Sequence, residues 1–135
     1  LKDLKGKVFL VVEDDDDLRQ ILGEIFQDLG AQVVLARSGN EAISRLSEYQ
    51  FDCVLSDIRM PEGTGIDLAR KLLAMPEPKP FLFFCSGFND LSIEEAKKLN
   101  VVKVFSKPFN SDELIAVITD YLEQAEQSKK SKQVS

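Results

Sequence analysis

Apolar residues follow two rhythms along this chain. Five short, mostly apolar runs, KVFLVV (7–12), QVVLA (32–36), FDCVLS (51–56), FLFFCS (81–86) and VVKVFS (101–106), are long enough for strands and too short for helices. Between them, apolar positions recur at helical spacing. Leu18, Ile21, Leu22, Ile25, Phe26 and Leu29 form one stripe of an amphipathic helix, which Gly30 stops. SGNE (38–41) has the Ser-x-x-Glu form of a helix start, with Ala42, Ile43 and Leu46 on one face behind it. Ile66 to Met75 is helical in pattern through Leu68, Ala69, Leu72 and Leu73, and PEPKP (76–80) ends it. SIEE (92–95) repeats the capping form before Ala96 and Leu99. Asn110, with Glu113 three residues on, opens a last helix carrying Leu114, Val117, Ile118, Tyr121 and Leu122.

The order is strand then helix, five times over. The strands are apolar on both faces, which predicts a parallel sheet covered by helices on either side, with right-handed crossovers. The expected fold is therefore one doubly wound α/β domain over residues 5–124, with no internal repeat. The polar stretch 125–135 is poor in apolar residues and is expected to be a disordered tail.

Composition narrows the chemistry. The chain has no histidine, which removes Ser-His-Asp and Cys-His catalysis and histidine-ligated metals. Cys53 and Cys85 lie inside apolar runs and read as buried thiols, in keeping with a reducing cytoplasm. A net charge of −6 disfavours nucleic acid and anionic membrane as direct partners, and no apolar run approaches a membrane span.

The remaining chemistry gathers where the strands end. In open α/β sheets ligands bind beyond the carboxyl ends of the strands. Glu13 and Asp14 follow the first strand, Asp57 the third, Ser86 closes the fourth and Lys107 follows the fifth. Three converging carboxylates disfavour one another's ionised form, and a hard dication such as Mg²⁺ relieves that conflict. A lysine ammonium adds a compact charge, and a serine hydroxyl with turn N–H groups can hold an anionic oxygen. Such a site suits a carboxylate nucleophile that receives a phosphoryl group. Asp15, Asp16 and Asp17 read differently, as the solvated start of the first helix, where the helix dipole favours anions.

VVEDD, SDIRMPEGTG, FCSG and FSKPF, in this order and spacing, resemble the receiver domain of bacterial response regulators over nearly the whole domain. The resemblance implies the CheY-like, flavodoxin-like (βα)5 fold with strand order 2-1-3-4-5. It implies Asp57 as phosphoacceptor, Glu13 and Asp14 as the Mg²⁺-binding acids, and the main-chain carbonyl of Arg59 as a further metal ligand. Ser86 becomes the switch hydroxyl and Lys107 the phosphoryl-pairing amine, with a cis Lys107–Pro108 bond. The implied donor is a phosphohistidine on a sensor histidine kinase or histidine phosphotransfer protein. The implied output is a downstream protein read by the face of helix four, strand five and helix five. No enzyme activity beyond self-phosphorylation and slow self-dephosphorylation is expected. With a polar stretch closing the chain, a stand-alone regulator and a receiver cut from a hybrid kinase both fit.

This chain departs from the family pattern at several positions. Glu13 stands where the first acid is most often Asp, and Gly63 and Thr64 stand where a larger apolar residue and an acid are common. Val104 holds the place of the aromatic switch residue, while strand alternation turns Phe105 to the opposite face. Phe88, with Arg59, is placed to restrict water at a phosphorylated Asp57. Two rival readings remain: a haloacid-dehalogenase-type phosphatase using Asp14-x-Asp16, and a docking module that is never phosphorylated.

Overall fold

The computed structural model describes residues 3–87 and 91–134. Five strands, β1 (Val8–Val12), β2 (Gln32–Ala36), β3 (Cys53–Ser56), β4 (Phe81–Ser86) and β5 (Val101–Ser106), form one sheet in the order β2-β1-β3-β4-β5. Every pairing is parallel. Five helices connect and follow them: α1 (Asp16–Asp28), α2 (Gly39–Arg45), α3 (Gly65–Ala74), α4 (Ile93–Lys98) and α5 (Ser111–Val134). This is the doubly wound order that the sequence implies.

Strand alternation divides the interior in two. Leu10, Val12, Val54, Leu82 and Phe84 face the layer that contains Ala42, Leu68 and Leu72 of α2 and α3. Phe9, Val11, Cys53, Leu55, Phe83 and Cys85 face Leu22 and Phe26 of α1 and Leu114 and Ile118 of α5. Phe9, Phe26, Phe83 and Phe84 are fully buried. Each contributes about 2–3 kcal/mol of hydrophobic stabilisation relative to an exposed ring. Val104 packs against the first layer and Phe105 is buried in the second, so the two residues point to opposite faces.

Helix starts follow the polar punctuation. Ser38 Oγ accepts from the Glu41 N–H at 3.1 Å, and Asn110 Oδ1 from the Glu113 N–H at 3.0 Å. Ser92 and Glu95 form a reciprocal capping box. Thr64 and Asp67 form a second one at the start of α3. That box spans the boundary between SDIRMPEGTG and the helix expected from Ile66, and its Thr-x-x-Asp spacing is visible in the sequence.

The carboxyl-terminal stretch differs from expectation. The polar residues expected to be a disordered tail from 125 onward instead continue α5 to Val134. Ala, Glu, Gln and Lys have good intrinsic helix propensity, so the helix propagates from the packed turn holding Leu114, Ile118 and Leu122. Among the described residues, no helix is long and apolar enough to cross a membrane.

Candidate functional site

The sheet register brings the strand ends level. Val12 pairs with Ser56, Ser56 with Phe84, and Ser86 with Ser106. The ladder carries on one residue past three of the strands. The Glu13 N–H donates to the Ala36 carbonyl at 3.0 Å, the Asp57 N–H to Val12 at 3.0 Å, and the Lys107 N–H to Ser86 at 2.8 Å. The backbones that bear the acids and the amine are therefore fixed by the sheet itself.

The side chains converge across that edge. Lys107 Nζ donates to Glu13 Oε1 at 2.7 Å and to Asp57 Oδ2 at 3.0 Å. Glu13 Oε2 accepts from the Asp15 N–H at 3.0 Å, and Asp57 Oδ1 accepts from the Ile58 N–H at 2.7 Å. Glu13 is 2% exposed, and its burial pushes the carboxyl above its ordinary value of 4.5, against the Asp15 and Lys107 hydrogen bonds that lower it. For Lys107, burial pulls the other way, but the bonds to Glu13 and Asp57 outweigh it and hold the ammonium above 10.5.

Carboxylate oxygens of Glu13, Asp14 and Asp57 all lie within 4.8 Å of one another. Asp14 is exposed, Asp57 half-buried and Glu13 buried, so the cluster opens to water on one side. Three hard oxygen donors with an open side fit Mg²⁺, which retains several waters when bound. Ser86 is buried at the end of β4 and Arg59 is exposed in the loop after Asp57. The Lys107–Pro108 peptide is cis. Phe88 lies outside the described residues.

Asp16 does not join the cluster. Its carboxylate is largely exposed and pairs with Arg19 one turn along α1, so Asp14-x-Asp16 does not form a converging phosphatase pair. Asp15 caps α1 by accepting from the Leu18 N–H at 2.9 Å. The acid run thus divides between Glu13 and Asp14 at the site and Asp15 to Asp17 at the helix start.

Several supporting contacts were not legible in the sequence. Ser56 Oγ donates to the Asp57 carbonyl at 2.7 Å. A Cβ at Gly65 would lie 2.3 Å from that same carbonyl, so only glycine allows α3 to start there. The β3–α3 loop is also tied to α2: the Gly39 N–H donates to the Gly63 carbonyl at 2.8 Å and the Asn40 N–H to Glu62 at 3.1 Å. Gly63 holds φ +103°, a conformation that L side chains rarely adopt. Arg19 donates to the Glu13 carbonyl at 2.9 Å. These partners lie far apart in sequence or on backbone atoms, and only the Gly-rich spelling of 63–65 hinted at them.

The family model for the response regulator receiver domain matches residues 9–119. The transcriptional regulatory protein FixJ of Bradyrhizobium diazoefficiens is 35% identical over 97% of this chain and 63% of its own length. The response regulator protein TmoT of Ectopseudomonas mendocina is 30% identical over 92% of this chain and 56% of its own. The chain thus spans somewhat over half the length of these relatives. The response regulator receiver protein CpdR of Brucella abortus is 34% identical over 86% of this chain and 97% of its own. Full-length FixJ from B. japonicum superimposes with a TM-score of 0.80 at 32% identity, over 96% of this chain and 64% of that one. A CheY-like receiver domain from Methylobacillus flagellatus gives 0.75 at 29% identity, over 84% and 97%. On fold, strand-end chemistry and relatives alike, this chain belongs to the response regulator receiver domain family of two-component signalling.

Proposed function

We propose that this receiver accepts a phosphoryl group on Asp57 and relays that event to the face made by α4, β5 and α5. The observation that carries the reading is the meeting of Asp57 and Lys107 at the sheet edge, beside Glu13 and Asp14. An Asp57 carboxylate oxygen attacks phosphorus, an O–P bond forms, and the P–N bond to the donor imidazole breaks. The imidazole takes its proton from solvent. These 135 residues contain no histidine, so the phosphohistidine lies outside them, on a sensor histidine kinase or a histidine phosphotransfer protein.

Glu13, Asp14, Asp57 and the main-chain carbonyl of Arg59 would hold Mg²⁺, which when bound supplies positive charge to the phosphoryl oxygens. Lys107 balances the remaining negative charge, and the Ser86 hydroxyl donates to a phosphoryl oxygen. Ser86 ends β4 and Lys107 follows β5, so a change at either side chain pulls on the α4–β5–α5 face. A downstream protein reads the shift in population. The receiver unit covers residues 5–124, works in the cytoplasm and turns over no substrate beyond its own phosphoryl group. Its net charge of −6 argues against direct nucleic-acid contact.

The test is intact mass after incubation with Mg²⁺ and acetyl phosphate. One phosphoryl adduct is expected, absent in Asp57→Asn. Multiple turnover of a phosphate ester that depends on Asp14 would instead make the protein a phosphatase, and no adduct would leave a docking module.

A further inference from the structure

Arg19 lies one turn into α1, on an element with no assigned part in the site, yet its side chain is only 15% exposed. Its guanidinium spans the acidic run. Nη1 donates to the Glu13 main-chain carbonyl at 2.9 Å and Nη2 to the Asp16 carboxylate. The Asp16 arm alone is an ordinary pair three residues apart on a helix, of small worth at the surface. The Glu13 arm is different, because it leaves the helix and ends on the peptide that joins Glu13 to Asp14.

Glu13 is held from every side. The Glu13 N–H bonds Ala36, the carbonyl accepts from Arg19, Oε1 accepts from Lys107 and Oε2 from the Asp15 N–H. Three of these contacts fix Glu13 itself. The Arg19 bond fixes the orientation of the peptide plane from which Asp14 departs, and Asp14 is exposed, outside the packed interior.

We infer that Arg19 is a positioning residue for the metal site, a two-armed clamp that closes the β1–α1 turn and aims the Asp14 carboxylate at Asp57. The inference rests on the Mg²⁺ reading proposed above and adds a residue to it.

Charge and positioning predict opposite signs, which makes the clamp testable. Removing a cation beside a dication site strengthens Mg²⁺ binding by Coulomb's law alone. Removing a clamp weakens it, and loss of a partner that orients a metal ligand typically weakens binding by roughly tenfold or more. The experiment is calorimetric titration of Mg²⁺ into wild type, Arg19→Ala, Arg19→Lys and Asp16→Ala, each with its thermal midpoint. Arg19→Ala is expected to bind Mg²⁺ roughly tenfold more weakly. Arg19→Lys keeps the charge without the rigid fork and should also bind more weakly than wild type. Asp16→Ala, which leaves the Glu13 arm in place, should stay within about twofold. Unchanged or tighter binding by Arg19→Ala, with or without a lower thermal midpoint, overturns the clamp. If Arg19→Ala does not fold, wild-type affinity in Arg19→Lys overturns it. Wild type that binds no Mg²⁺ overturns the metal reading, and this inference with it.

Discussion

Lys107 Nζ and Asp57 Oδ2 lie 3.0 Å apart although 50 residues separate them in the chain. The same ammonium reaches Glu13, so one cation balances two carboxylates at the sheet edge. Replacing Lys107 by Ala leaves a buried Glu13 carboxylate with one fewer partner. We expect a loss of about 1–3 kcal/mol at pH 7 with chelator present, measured by urea denaturation. The deficit should shrink as pH falls, because Glu13, already raised above 4.5 by burial, protonates and removes the unbalanced charge. A deficit that does not change with pH would show that the lost contact is not electrostatic.

Burial of Glu13 costs stability at neutral pH. Its folded pKa is raised, so the native state binds its proton more tightly than the unfolded chain does. The associated stability is fully present below 4.5 and is lost as pH rises through the folded value. Glu13→Gln removes this penalty at neutral pH. The variant should be more stable than wild type by up to about 1 kcal/mol in chelator and should bind Mg²⁺ more weakly. Denaturant midpoints and metal titration on the same preparation check both halves.

The thiols give a second pH window, at the alkaline end. Burial pushes Cys85 from 9.0 to about 11 and Cys53 well above 9.0. The unfolded chain releases these protons first, so stability should fall as pH rises from 9 toward 11. Both thiols should also resist a thiol reagent at pH 8 until denaturant is added. Rapid modification of the native protein would contradict their burial.

The loop that carries Arg59 depends on glycine where backbones meet. A Cβ on Gly63 would lie 2.6 Å from the Asn40 nitrogen, and the residue already has φ +103°. Gly63→Ala should cost about 2–4 kcal/mol, from overpacking and left-handed strain together. Gly6 also has a positive φ, +85°, but no atom stands within 4 Å of its Cβ position. Gly6→Ala should cost only about 1–2 kcal/mol. Chemical denaturation of the pair separates contact from conformation.

Much of this was written locally. Short apolar runs marked each strand and helical apolar spacing each helix, and Ser38, Ser92 and Asn110 marked three helix starts, because capping is decided within four residues. Polarity does not set the length of α5, since a helix anchored at Leu114, Ile118 and Leu122 can extend through a polar stretch. The Thr64–Asp67 box has the spacing of a helix start but begins inside a Gly- and Pro-rich stretch, where local residue types favour turns.

By itself the sequence determined the order of elements, the two apolar faces of the sheet and the edge on which the acids, the hydroxyl and the amine emerge. A strand's period and end are local properties of the chain. The tertiary structure alone decided that Glu13 is buried against Lys107, 94 residues away, that Asp14 stays in water, and that Arg19 grips the turn between them. Those outcomes depend on register between strands and on main-chain carbonyls, and neither leaves a mark in the spacing of side chains.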